Sequence, residues 1–197
     1  KSPVLNGING LSQKSAEPGN ASYYYSITRW ETSGSLRIGS AQFSVSGLSW
    51  LDREWSSSAL AANQQGWDWF ALQLSDGSDL MFYNLRLDDG RQDPHSAGTW
   101  IGADGEASRI DRSDLEIIVT DRWQSPSGGI YPAAWTLHLP RESLRLEVVP
   151  VLADQELITT VRYWEGAVDV SGERHGLPVS GRGYVELTGY ASTVRGQ

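Results

Sequence analysis

The chain has 197 residues, no cysteine and a formal net charge of −8. A chain of this length buries about 70% of the surface its unfolded form exposes, so one domain can build a sizeable core without covalent staples. The absence of thiols excludes disulfides and thiolate chemistry, and an acidic balance with no Lys/Arg run argues against nucleic acid and anionic membrane surfaces as partners.

The first 22 residues, through Asn20-Ala21-Ser22, are rich in Gly, Ser, Asn and Pro and carry no periodicity, so 1–22 reads as a linker-like segment. Its opening, Lys1-Ser2-Pro3-Val4-Leu5-Asn6-Gly7, lacks the apolar region of a secretory signal, and no stretch approaches about 18 apolar residues. Membrane association is expected only through an anchor lying upstream. From Tyr23 the punctuation is that of short strands, with Asp76-Gly77, Asp89-Gly90 and Asp104-Gly105 supplying hairpin turns. The spacing predicts strands at Tyr23–Trp30, Leu36–Gly39, Gln42–Trp55, Trp67–Leu74, Leu80–Leu87, Gly98–Ala103, Leu115–Asp121, Ala133–Leu139, Leu144–Val149, Thr159–Val170 and Gly183–Tyr190. No amphipathic helix of consequence is written. About ten strands in successive hairpins predict an all-β, up-and-down antiparallel barrel over 23–197, with an interior able to hold one small ligand.

Alternation suggests which faces turn inward. Along Trp67–Leu74 one face carries Asp68, Phe70, Leu72 and Leu74, and this face is expected in the interior. On the next strand the apolar face is Met81, Tyr83, Leu85 and Leu87. Together they predict a pocket walled by Phe70, Leu72, Met81, Tyr83 and Leu85, with a polar end near Asp68.

The densest oddity is Trp50-Leu51-Asp52-Arg53-Glu54-Trp55, three successive charges between two tryptophans. In a strand, Trp50, Asp52 and Glu54 share one face and Leu51, Arg53 and Trp55 the other, so either choice buries a charge that needs a partner. Arg53 is expected to be buried against a carboxylate of another strand, with Glu156, Glu165 and Glu186 as candidates. Asp52, Glu54 and Asp68 are candidate proton donors, because burial raises a carboxyl pKa toward acid work. Trp55 and Trp67 could steady a cation through their ring faces. His95, His138 and His175 have no metal-like spacing, Asp88–Asp93 lacks the spacing of a calcium loop, and no nucleophile elbow or phosphate-cradling loop is present. No metal and no cofactor are therefore expected.

Six blocks taken in order, Tyr23-Tyr24-Tyr25-Ser26-Ile27-Thr28-Arg29-Trp30, Trp50–Trp55, Gly66-Trp67-Asp68-Trp69-Phe70, Leu80–Arg86, Tyr163–Val168 and Gly183–Tyr190, resemble the AttH and carotenoid 1,2-hydratase family. The resemblance implies two consecutive lipocalin-like barrels, of which this chain is expected to hold the second, with the sister barrel as a partner. It also implies a bacterial, periplasmic or cell-envelope setting. Some relatives hydrate a carbon–carbon double bond of a carotenoid. Hydratase members carry Asp-His-Asn-Trp where this chain has Asp52-Arg53-Glu54-Trp55, and a guanidinium with a pKa above about 12 cannot stand in for an imidazole acid.

Three functions are compatible with these features. The favoured one is a module that binds a hydrophobic small molecule, a lipid or isoprenoid, in the barrel, with Arg53, Trp55, Trp67, Glu165 and Glu186 completing the site. The second is a hydratase or isomerase acting on an isoprenoid double bond. The third is a half-protein that packs against its sister barrel, which would leave an exposed apolar patch.

Overall fold

The computed structural model describes residues 1–56, 60–159 and 161–191. Among them, the strands in chain order are β1 (Val4–Leu5), β2 (Leu11–Gln13), β3 (Ala21–Ile38), β4 (Ala41–Ser56), β5 (Gln64–Leu74), β6 (Asp79–Leu87), β7 (Ala97–Ile101), β8 (Ala107–Asp111), β9 (Glu116–Gln124), β10 (Ile130–Leu139), β11 (Leu144–Pro150), β12 (Glu156–Ile158), β13 (Arg162–Arg174) and β14 (Leu177–Thr188). The sole helical element among the described residues is the single 3-10 turn Pro140–Glu142. The Asp-Gly turns form as expected, with φ of 88°, 82° and 89° at Gly77, Gly90 and Gly105, values that a side chain would strain.

The strands fall into two sheets. The larger has the order β8-β7-β6-β5-β14-β13-β11-β10-β9, with β12 added to β13. Its first and last strands in the chain, β5 and β14, pair directly, as they must to close an up-and-down barrel. The ring stays open between β8 and β9, so the sheet is a curled, lipocalin-like half-barrel. At the opening Arg141 donates to the Arg109 carbonyl at 2.5 Å and stands 3.6 Å from Asp114.

The concave face is filled. Phe70, Leu72, Phe82, Trp135, Trp164, Leu146 and Val185 are fully or nearly fully buried there, with Trp135 edge-on to Phe70 at 5.6 Å and 6.3 Å from Trp164. Each such side chain contributes about 1.5–3 kcal/mol by leaving water, so the barrel interior is the core of the protein rather than a cup.

The smaller sheet is a long ribbon, β3 paired with β4, flanked by β1 and β2. Two expected strands, Tyr23–Trp30 and Leu36–Gly39, are one strand here, with a register shift between Ile27 and Trp30. The proximal ribbon packs on the convex face of the large sheet, where Tyr24 meets Met81, Tyr83, Leu85 and Ala97. Arg29 fixes it there by donating from Nε to Asp79 at 2.8 Å and from Nη2 to the carbonyls of Leu74 and Ser78.

Residues 1–22 are ordered into this layer rather than forming an open linker. β1 and β2 pair with β3, Asn6 donates to Ser26 at 2.8 Å and accepts from Thr99 at 2.7 Å, and Ser12 bonds the Tyr83 hydroxyl at 2.7 Å. Buried polar side chains, not an apolar stripe, hold the segment, which is why it shows no hydrophobic period. β8 and β12 lie outside the expected strands. The expected strand Thr159–Val170 begins at Arg162, and its Thr160, like residues 192–197 of the expected domain, lies outside the described residues.

Candidate functional site

The ribbon and the convex face of the large sheet do not meet completely. Between them lies a cavity of about 420 Å³ lined by Lys14, Tyr24, Asp52, Glu54, Ser56, Trp67, Trp69, Tyr83, Leu85, Tyr184 and Glu186. Strand alternation delivers these groups except Lys14, which follows the end of β2. Tyr24 faces Glu54 in the β3–β4 register and Ser26 faces Asp52, so both carboxylates turn inward while Arg53 and Trp55 turn out. On β5 and β6, Trp69 stands beside Tyr83 and Trp67 beside Leu85, and on β14 Glu186 stands beside Trp69.

The carboxylates have different surroundings. Asp52 accepts from Tyr24 and Ser26 at 2.5 Å each and from the Trp50 indole at 2.8 Å, with Trp69 donating to the Tyr24 hydroxyl at 3.1 Å behind it. Burial pushes the Asp52 carboxyl above its ordinary range despite these donors, which favour the anion. Burial likewise raises Glu186, against one donor, the Trp67 indole at 2.6 Å, and with Glu165, Asp52 and Glu54 adding repulsion. Glu54 is bridged to Lys14 at 2.9 Å and accepts from Ser22 at 2.5 Å. The Lys14 ammonium also lies 3.7 Å from the centre of the Tyr83 ring and 5.3 Å from that of Tyr24. Burial beside Asp52 raises the Tyr24 hydroxyl well above the usual phenol range, which keeps it a donor.

A second hollow of about 550 Å³ shares Asp52, Trp69 and Tyr184 with the first and continues along Leu48, Ser49, Trp50, Ala71, Gln73, Arg182 and Gly183. Trp50 and Trp69, edge to face at 6.4 Å, stand in the wall of this second hollow. Among the described residues no three His, Asp or Glu side chains converge as a metal-ion site.

Of the residues expected in the site, Asp52, Glu54, Trp67, Tyr83, Leu85 and Glu186 are brought together, and Met81 packs just beneath them. The others are elsewhere. Phe70 and Leu72 point into the filled core, on the opposite face of β5 from the cavity. Asp68 shares their face, where it is bound by Arg86 at 3.0 Å, Tyr190 at 2.9 Å and Asn84 at 3.1 Å, an ion pair that closes one end of the core. The expected single pocket joined two faces that in fact lie on opposite sides of the sheet. Arg53 is exposed; its cation lies 5.3 Å from the Trp55 ring, and it meets no carboxylate among the described residues. Both sit on the outer face of the ribbon, where exposure removes the need for a counter-ion. Glu165 lies opposite Glu186 in the β13–β14 ladder and accepts from Tyr184 at 3.4 Å, just outside the cavity. Glu156 is bound by Ser125, Ser127 and Tyr131 far from Arg53. Lys14, Tyr24, Trp69 and Tyr184 were not anticipated; the clustering of Tyr23-Tyr24-Tyr25 and of Trp67 with Trp69 was the available signal.

A sequence-family profile described as AttH-like matches residues 1–190. The chain belongs to the AttH-like family. It is similar to the crystal structure of an AttH-type protein from Nitrosomonas europaea, with 34% identity and a TM-score of 0.87 over 98% of this chain and 59% of that one. Kievitone hydratase from Nectria haematococca shares the fold, with 24% identity and a TM-score of 0.75 over 97% of this chain and 58% of the other. The AttH-like chain thus spans less than two thirds of the length of both solved relatives. Comparison with curated protein sequences returned no match.

Proposed function

We propose that this AttH-like domain binds a hydrophobic small molecule in the cleft between the ribbon and the convex face of the half-barrel. The observation that carries this reading is the 420 Å³ cavity itself, walled by Trp67, Trp69, Tyr83, Leu85 and Tyr184 with a few convergent polar groups, the usual make-up of a small-molecule site. Titration with an apolar probe, followed by quenching of tryptophan fluorescence, tests it. Trp69→Ala should weaken the probe and Leu85→Trp should exclude it, whereas unchanged affinity in both would overturn the reading.

A second reading is favoured by the raised carboxyls of Glu186 and Asp52 on either side of the aromatic walls. In a hydratase-type reaction, Glu186 would protonate one carbon of a double bond, and the Trp67 and Trp69 faces would steady the cation on the other. Water would form the new C–O bond while giving a proton to Asp52, and solvent would return that proton to Glu186. Kievitone hydratase lends the fold a hydratase precedent, though in a protein much longer than this chain. Incubation with alkenes of isoprenoid and phenolic type, read by mass spectrometry for the gain of one water, tests the reaction. Product formed equally well by Glu186→Gln would remove Glu186 as the acid.

A further inference from the structure

Resting on the reading of the cleft as a ligand site, we propose that it selects organic cations, compact amines with an aromatic or alkyl body, over neutral and anionic molecules of the same shape. The groups lining the cavity include three carboxylates, Asp52, Glu54 and Glu186, and one cation, Lys14. Lys14 is committed to Glu54 at 2.9 Å. Asp52 is met by the neutral donors Tyr24, Ser26 and Trp50, and Glu186 by the neutral indole of Trp67. Neither has a cation beside it among the described residues, and Glu186 stands in register with a further carboxylate, Glu165. Like charges opposed across a ladder repel, so this corner of the cleft holds negative potential that no ion pair to Asp52 or Glu186 among the described residues compensates.

The walls are suited to the same kind of ligand. Trp67, Trp69, Tyr24, Tyr83 and Tyr184 line the cavity together with the carboxylates, and aromatic rings attract cations through their faces. Lys14 shows that such rings accept an ammonium here, since its Nζ lies 3.7 Å from the Tyr83 centroid. The remaining space, next to Trp67, Trp69 and Tyr184, also has rings beside carboxylates, and the described residues place no second cation in its lining. A metal ion would need three or more oxygen ligands converging, which the described residues do not provide. A weakly hydrated organic cation needs only ring faces and a carboxylate nearby. An anion would meet Asp52 and Glu186 with Lys14, the one cation in the lining, already paired to Glu54.

The experiment compares three benzyl probes with tetrahedral heads on the folded protein by isothermal titration: benzyltrimethylammonium, its neutral carbon isostere neopentylbenzene, and the anion phenylmethanesulfonate. The expected result is that the cation binds about tenfold or more tightly than the isostere, with the anion undetectable. Glu186→Gln should reduce the cation's advantage while sparing the neutral probe, and its circular dichroism spectrum should match the parent's. If the isostere binds as well as the cation, the charge preference is wrong and the apolar cleft stands. If no probe binds, both fail.

Discussion

Arg29 on β3 and Asp79 at the start of β6 are joined Nε to Oδ1 at 2.8 Å, with Asp79 fully buried and also in contact with Lys1 Nζ at 2.9 Å and Thr28 at 2.7 Å. This cluster is the polar attachment between the ribbon and the half-barrel. Removing one partner of a buried pair leaves the other charge uncompensated, so Asp79→Asn should lower unfolding stability by about 3–5 kcal/mol. Urea denaturation measures it. A loss below about 0.5 kcal/mol, the range of ordinary surface changes, would show that this ion-pair cluster does not hold the ribbon.

The buried carboxyl of Glu186 makes stability depend on pH in a direction that can be worked out. Burial raises Glu186 above its unfolded value, so between the unfolded and folded pKa values the native state holds more protons than the unfolded chain. Stability then falls as pH rises through the folded pKa, and Asp52, raised by the same cause, acts with the same sign. Glu186→Gln should therefore be no more stable than the parent at acid pH and increasingly more stable toward neutrality. Thermal melts across the range from about pH 4, near the ordinary carboxyl values, to pH 7 will check the slope; a constant difference would contradict it.

Leu72 and Leu85 lie on adjacent strands but in different compartments, one in the filled interior and one in the cleft wall. Leu72→Ala should cost about 2–5 kcal/mol through the void it leaves and should not change probe affinity. Leu85→Trp should do the reverse, abolishing binding at small cost in stability. Equal effects of the two on binding would mean that the interior, not the cleft, admits the probe.

The outer face and far half of the ribbon carry Trp30, Leu36, Ile38, Phe43, Leu48 and Trp55, all about half or more exposed. An apolar face of this extent is suited to being covered by another protein surface. Leu36→Asp with Phe43→Asp should leave the domain's own stability within about 0.5 kcal/mol, as for other surface positions. Placed in an AttH-like chain as long as the solved relatives, the same pair should speed proteolysis between this domain and the rest. Unaltered proteolysis would count against this contact.

How much of this could be read in advance depended on whether a strand has one buried face or two. Most strands of the half-barrel were visible from their turns, and the alternation in Trp50–Trp55 correctly put Trp50, Asp52 and Glu54 on one side. It could not say that β5 is covered on both sides, by the core beneath and the ribbon above. A strand buried on both faces loses the contrast that tells inside from outside. Phe70 and Leu72 were therefore placed in the same pocket as Tyr83 and Leu85. Lys14 was invisible for another reason: it belongs to a segment held by Asn6, Ser12 and Ser15, and polar order of that kind leaves no period in a sequence.

On β5 the two tasks of the domain are divided by the parity of the residue number. Positions 68, 70 and 72 are committed to holding the protein together, while positions 67 and 69 meet whatever enters the cleft. In a barrel that carries its ligand inside, the same side chains must do both, and a change of taste loosens the fold. Here the odd positions can be exchanged while the even ones stay fixed. Substitution at 67 or 69 is accordingly expected to change what the cleft admits at less cost to the core than substitution at 70 or 72.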